Sequence, residues 1–338
     1  MKIKHLSCKV RGGKLLNTSI RNKLLVTAIF LLSIFLVACG NQQQNNEEKP
    51  KNGSEKASQE RVLTDALGHE VTIPANPERV IASYLEDHLI ALGITPVAQW
   101  SVNNGASIQN YLQDSLKDIP TIPFDLPFEA VTSFNPDLII VSSAETVEGG
   151  KYEQYNKIAP TFVLENEANA SWREKLLKVA EIFDKNEKAD EVLQQYDQLV
   201  EESKEKIHNA VGTQSAAAIW IVNNTVYMVS ETASSGAVLY GELGLTAPSL
   251  VKEISESATG DWSPVSLEKL AELDADHLFL INSDVGNGAE MLRDPLWANI
   301  PAVKNGNVHE FAKDTSWLYS GPIANSQIIH DVVKSIVK

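Results

Sequence analysis

The sequence predicts an α/β protein of two lobes, each with a mainly parallel sheet, joined by one long α-helix. Apolar runs of the kind that parallel strands need on both faces alternate with short helical patterns on either side of the chain's middle. Between the two sets, residues 187–208 place Ala189, Val192, Leu193, Tyr196, Leu199, Val200 and Ile207 at spacings of three and four, without Gly or Pro. A helix of that length spans roughly 33 Å, about the width of a small lobe.

In chain order, residues 61–73 alternate around Asp65-Ala66-Leu67-Gly68-His69 and read as an entry hairpin. Pro74 and Pro77 end it, and residues 79–82 (Arg-Val-Ile-Ala) form the first buried strand. Residues 86–92 are helical and Gly93 stops them, while 97–99 make a short strand. Helix over 131–134 is broken by Pro136, and Leu138-Ile139-Ile140-Val141 is a strand covered on both faces, followed by another at 161–164. The second set opens with strands 216–222 and 226–229, joined at the hairpin pair Asn223-Asn224. Helices at 236–243 and 267–273, strands at 278–281 and 308–311, and a closing helix over 323–337 complete it. The chain thus divides into an N-terminal lobe at 61–185, a connector at 186–212 and a C-terminal lobe at 213–338.

Ahead of the lobes, a leader with seven basic and no acidic residues precedes about fifteen apolar or small residues starting at Leu24. The run is short for a bilayer span and matches the core of a signal peptide. It closes on Leu36-Val37-Ala38-Cys39, which resembles the lipobox of bacterial lipoproteins. That resemblance implies a signal peptide over 1–38, acylation of Cys39, and a lipid anchor on the extracytoplasmic face of a cell membrane of the Gram-positive type. Residues 39–60 are polar and read as a disordered tether.

After Ala38 the chain carries 22 basic against 44 acidic residues, a surface that repels nucleic acid and offers no polybasic patch to anionic lipid. The other cysteine, Cys8, lies in the leader, so no disulfide is expected and the fold rests on its core.

The two lobes echo each other. Glu129-Ala-Val131-Thr-Ser-Phe134-Asn-Pro-Asp137-Leu138-Ile139-Ile140 aligns without a gap on Glu268-Lys-Leu270-Ala-Glu-Leu273-Asp-Ala-Asp276-His277-Leu278-Phe279. Each Glu opens a short helix, where the helix dipole favours it, and each Asp precedes a buried strand. With Asp65 to Pro74, the following Pro77-Glu-Arg79-Val80-Ile81, Asn135 to Ile140, Trp172 to Ala180 and Val265-Ser266-Leu267-Glu268, the chain resembles the iron–siderophore and cobalamin substrate-binding proteins of ABC importers. The resemblance runs from about Arg61 to the C-terminus. It implies two Rossmann-like lobes bridged by one helix (the class III periplasmic-binding-protein fold), a ligand cleft between them, a monomer, and delivery to an ABC permease. It also implies that Glu129 and Glu268, at the family's docking positions, seat on permease arginines.

A cleft at the carboxyl ends of the strands would draw on Tyr84, Trp100, Trp220, Tyr227, Trp317 and Tyr319, with Arg173 beside it. Trp262 and Tyr111 are further candidates, and Arg79 belongs to the entry motif as a structural residue. No Lys or Arg occurs from Gln214 to Thr232. An aromatic, charge-poor cleft suits a ferric hydroxamate, whereas a tri-anionic ferric catecholate or a citrate chelate wants a cluster of cations. No cofactor is expected, iron entering only as the chelate. Direct metal binding is disfavoured because His69, His88, His208, His277, His309 and His330 are scattered. Haem, with Met228 as a ligand, and cobalamin remain alternatives within the fold. An enzyme is the alternative from another class, but Gly286-Asn287-Gly288 is a lone loop signal without strand-to-helix context, and no nucleophile elbow is present.

Overall fold

The computed structural model describes residues 59–165, 170–284 and 293–337. Residues 57–338 form one compact unit. The expected signal peptide, Cys39 and the tether up to residue 58 lie outside the described residues, as does Gly286-Asn287-Gly288. Among the described residues no helix is long and apolar enough to cross a membrane.

The architecture is α/β in two lobes. An antiparallel entry hairpin, β1 (Arg61–Thr64) with β2 (Glu70–Ile73), turns where the Asp65 carboxylate accepts the N–H groups of Leu67 and His69 at 2.9 and 2.8 Å. β3 (Val80–Ile81), β6 (Leu138–Val141) and β7 (Thr161–Val163) run parallel in the order β3-β6-β7. A parallel pair, β4 (Gln99–Ser101) and β5 (Thr121–Pro123), lies alongside, with the Val97 N–H donating to the Val80 C=O just ahead of it. Residues alternate between the two faces as period-2 geometry requires. Val80, Leu138, Ile140 and Phe162 enter one core, and Ile81, Ile139, Val141 and Val163 the other.

The second sheet has the order β10-β9-β8-β11-β12. β8 (Ala216–Val222), β11 (His277–Asn282) and β12 (Val308–Ala312) are parallel, whereas β9 (Thr225–Val229) and β10 (Trp262–Val265) are antiparallel to their neighbours. Asn223 and Asn224 both take positive φ, the condition for a tight primed turn, and the Asp284 carboxylate accepts both of their N–H groups. Again one face (Ala216, Ala218, Phe279, Ile281) and the other (Ala217, Ile219, Leu278, Leu280) fill separate cores.

The connector is one helix, Asn186–Val211, of 26 residues, about 39 Å long. It outruns the apolar pattern at its C-terminal end and stops at Gly212, whose φ of 64° suits glycine. The helix expected over 236–243 is a short turn, Ser234–Gly236, running into a π-helix, Ala237–Glu242. β5 and β10 have no counterpart in the sequence prediction. Both are short and carry a proline (Pro123, Pro264), and β10 is the outermost strand of its sheet, so neither displays the apolar run of a central strand.

The internal repeat has a physical basis. The Asp137 carboxylate accepts the N–H groups of Glu78 and Arg79 at 2.8 and 3.0 Å, pinning the entry to β3. The Asp276 carboxylate accepts the Ser215 N–H and hydroxyl at 2.8 and 2.9 Å, pinning the entry to β8. Each Asp thus ties the start of its own strand to the start of the parallel neighbour. Arg79 donates to the carbonyls of Asn135 and Phe134, which gives it the structural role expected of the entry motif.

Candidate functional site

Past the end of β3, the chain turns through Ser83 and Tyr84 into helix Glu86–Ala91. Tyr84 sits at φ 67°, a left-handed conformation that bulky side chains rarely adopt, and its side chain is nonetheless 39% exposed. Its ring lies 5.3 Å from Trp100 on β4 and 6.3 Å from Tyr319, which belongs to the loop after β12. Tyr111 stacks obliquely on Tyr319 at 5.1 Å. Aromatic side chains from both lobes therefore converge at one point. Beside them opens a cavity of about 330 Å³ lined by Ser83, Tyr84, Trp100, Phe124, Leu126, Val141, Ser142 and Thr146. Among the described residues, no acidic or basic side chain lines it.

The charged groups are held beneath that surface. Glu86, Asp87 and His88 are consecutive and buried. The Glu86 carboxylate accepts the Trp100 N–H at 2.7 Å, which orients the indole's strand, while its other oxygen has no hydrogen-bond partner among the described residues. Burial pushes the Glu86 carboxyl up to about 7, against the lowering effect of that hydrogen bond. Burial likewise raises Asp87 to about 6, although it accepts two backbone N–H groups and the Tyr111 hydroxyl. His88 is driven down to about 4, by burial first and by the Lys175 charge second. It is therefore a neutral imidazole at pH 7. A narrow hollow between the lobes, reached past Tyr84 and Tyr319, is lined by His88, Gln109 and Lys175. Among the described residues no three His, Cys, Asp or Glu side chains converge as a metal site would require.

In the C-terminal lobe, Trp220 and Tyr227 face each other across β8 and β9 with ring centroids 5.3 Å apart, and Trp262 meets Trp220 edge-on at 6.2 Å. The Trp220 indole N–H donates to the Ser283 hydroxyl at 2.8 Å, just past the carboxyl end of β11. This is a second aromatic group on its own sheet, separate from the Tyr84 cluster.

Two residues expected at the cleft are placed elsewhere. Trp317 is fully buried, stacked on Phe279 at 4.9 Å and against Phe311 at 5.0 Å, with its N–H donated to the Asp331 carboxylate at 3.0 Å. Its flat ring fills the gap between sheet and closing helix, so the polar sequence around it misled. Arg173 pairs with Asp197 at 2.7 Å and Glu242 at 3.6 Å, and its guanidinium stacks on Trp172 and Tyr196 at 4.7 and 4.9 Å. The Tyr196 hydroxyl also donates to Glu242. The guanidinium charge is spent at the junction of helix Trp172–Ile182, the connector and the C-terminal lobe, because two carboxylates meet it there.

Glu129 and Glu268 are both exposed in the first turn of their short helices, with no ion pair among the described residues. Sequence reasoning passed over Phe124 and the buried Glu86-Asp87-His88 run. The available signal was three titratable residues directly after the first strand, at the carboxyl edge where open α/β sheets bind ligands.

The periplasmic binding protein family model matches residues 83–315. A probable siderophore-binding lipoprotein of Bacillus subtilis, YfiY, is 28% identical over 322 residues, covering 91% of this chain and 95% of its own. The iron(3+)-hydroxamate-binding protein FhuD of the same organism is 27% identical over 312 residues, covering 91% and 95%. Among solved structures, an FhuD-fold binding protein of a ferrichrome ABC transporter from Bacillus subtilis superposes with a TM-score of 0.68 at 25% identity, over 82% of this chain and all of that one.

Proposed function

Because this chain belongs to the periplasmic binding protein family, we propose that it captures a ferric siderophore of the hydroxamate type between its lobes and hands it to an ABC importer. The observation that carries this reading is the aromatic mouth of Tyr84, Trp100 and Tyr319 beside a cavity whose described lining has no acidic or basic side chain. Iron(III) held by three hydroxamates is uncharged and offers a greasy, hydrogen-bonding rim that aromatic faces can grip. A trianionic catecholate complex would lose its hydration there, with no cation among that cavity's described lining residues to replace it. The FhuD relative is named for iron(3+)-hydroxamate binding and the YfiY relative for siderophore binding, which supports this reading. Trp220 and Tyr227 supply the facing wall in this reading, and Tyr319 closes the mouth.

Capture and delivery involve no chemical step on the ligand. Cys39, once acylated, moors the protein outside the membrane, and the polar residues after it give the lobes reach. Glu129 and Glu268, equivalent carboxylates on equivalent helices, seat on the permease.

Residues 57–338, titrated with ferrioxamine, ferrichrome, a ferric catecholate, ferric citrate, haem and cobalamin while tryptophan fluorescence is followed, test the ligand class. Saturable quenching by the hydroxamates is expected. Binding of the catecholate or citrate complex without either hydroxamate would overturn it. Replacing Glu129 and Glu268 together by Ala should leave the dissociation constant unchanged and abolish uptake in cells; retained uptake removes them from the docking surface.

A further inference from the structure

We propose that Asp87 is a positioning residue that fastens the two lobes together and sets the spacing between Tyr84 and Tyr319, an inference about ligand capture that rests on the function proposed above. Asp87 belongs to helix Glu86–Ala91 of the N-terminal lobe and is 2% exposed. Its two carboxylate oxygens accept the N–H groups of Ile323 and Ala324, each at 2.9 Å, at a separation of more than two hundred residues along the chain. Those donors are the first free N–H groups of the closing helix Pro322–Ile336, since Pro322 has none to offer. The N-cap residue, Gly321, has no side chain with which to cap this end. The cap comes from the other lobe.

Two neighbours reinforce the arrangement. The Tyr111 hydroxyl donates to the same Asp87 carboxylate at 3.0 Å, and the Tyr111 ring packs on Tyr319. Gly321 approaches so closely that a Cβ there would lie 2.6 Å from the Asp87 Cγ and Oδ1. Only glycine lets the backbone of one lobe reach the carboxylate of the other. Tyr319 is two residues before that contact and Tyr84 three residues before Asp87, so the fastening holds the two rings at their 6.3 Å separation. Parting the lobes at this edge must strip a buried carboxylate of both backbone donors, which resists spontaneous opening.

Residues 57–338 contain no cysteine, so one label can be placed on each lobe at Lys117→Cys and Lys304→Cys, both exposed, and the interlobe distance measured by pulsed electron spin resonance without ligand. The parent should give one narrow distribution. Asp87→Ala should broaden it or move it to longer distance, and Gly321→Ala should do the same from the opposite side of the contact. Asp87→Asn, which keeps the shape but turns an amide N–H toward a backbone N–H, serves if the alanine variant does not fold. Unchanged narrow distributions in the folded variants overturn the proposal, whatever chelate the protein takes. Where the distribution broadens, the dissociation constant for the ferric hydroxamate should rise about tenfold as the capture-competent population falls. A broadened distribution with unaltered affinity overturns the positioning role. If the parent binds none of the chelates, the functional reading fails, and the distance measurement still decides the fastening.

Discussion

Replacing Trp317 by Ala should cost stability and spare the ligand site. The indole is fully buried between Phe279, Phe311 and the closing helix, and its N–H is bonded to Asp331. Truncating a buried tryptophan costs about 3 to 5 kcal/mol, from lost transfer free energy and from the cavity left behind. The hydrogen bond to Asp331 adds little, because that carboxylate is half-exposed and regains water. For a unit of some 280 residues, an unfolding entropy of about 2.1 cal/mol/K per residue gives about 0.6 kcal/mol per degree, so a loss of 4 kcal/mol lowers Tm by about 7 °C. Trp317→Phe keeps an aromatic six-membered ring but loses the pyrrole part of the indole and the bond, for about 2 kcal/mol and about 3 °C. Differential scanning calorimetry reads both shifts, and isothermal titration of Trp317→Phe with ferrioxamine, well below its Tm, reads the affinity, which should match the parent within about twofold. An unmoved Tm with a tenfold weaker dissociation constant would refute the core assignment and return Trp317 to the cleft.

Three further outcomes follow from titratable side chains held inside the lobes or bonded to strand ends. Glu86, raised from 4.5 to about 7, binds a proton more tightly when folded, so its contribution to stability is full below about pH 4.5 and lost as pH rises through 7. Glu86→Gln should therefore gain on the parent by up to about 3 kcal/mol between pH 5 and pH 8, and a Tm difference that does not change with pH contradicts the burial assigned to it. His88 works the other way, its contribution being present above pH 6.5 and lost as pH falls through 4, so it gives the parent its acid limb. Asp137→Ala and Asp276→Ala should each cost about 1 to 2 kcal/mol and add in the double variant, since they pin different sheets; a coupling above about 1 kcal/mol in denaturant titrations would show that the two lobes share these contacts.

How much of the site was legible depended on whether a residue's role was local. Tyr84 and Trp100 could be placed because each follows or occupies a strand at the carboxyl edge of the sheet, and Asn223-Asn224 because a two-residue turn needs positive φ at both positions. Trp317 and Arg173 were misplaced because their surroundings come from distant segments. The polar residues around Trp317 said nothing of Phe279 or Phe311, and the lone arginine next to Trp172 gave no sign of Asp197 and Glu242. The burial of Asp87 was equally invisible, since its partners lie on the closing helix.

Patterns that repeat within a few residues determined the α/β class, the single connector and the doubled unit of helix, Asp and strand, because period, turn chemistry and capping act through neighbours in the chain. Tertiary structure alone decided which aromatics meet across the mouth, which charges are spent on structure and how the lobes are fastened. Those depend on contacts between segments far apart in the chain, where a buried carboxylate or indole takes its role from whatever the fold brings against it.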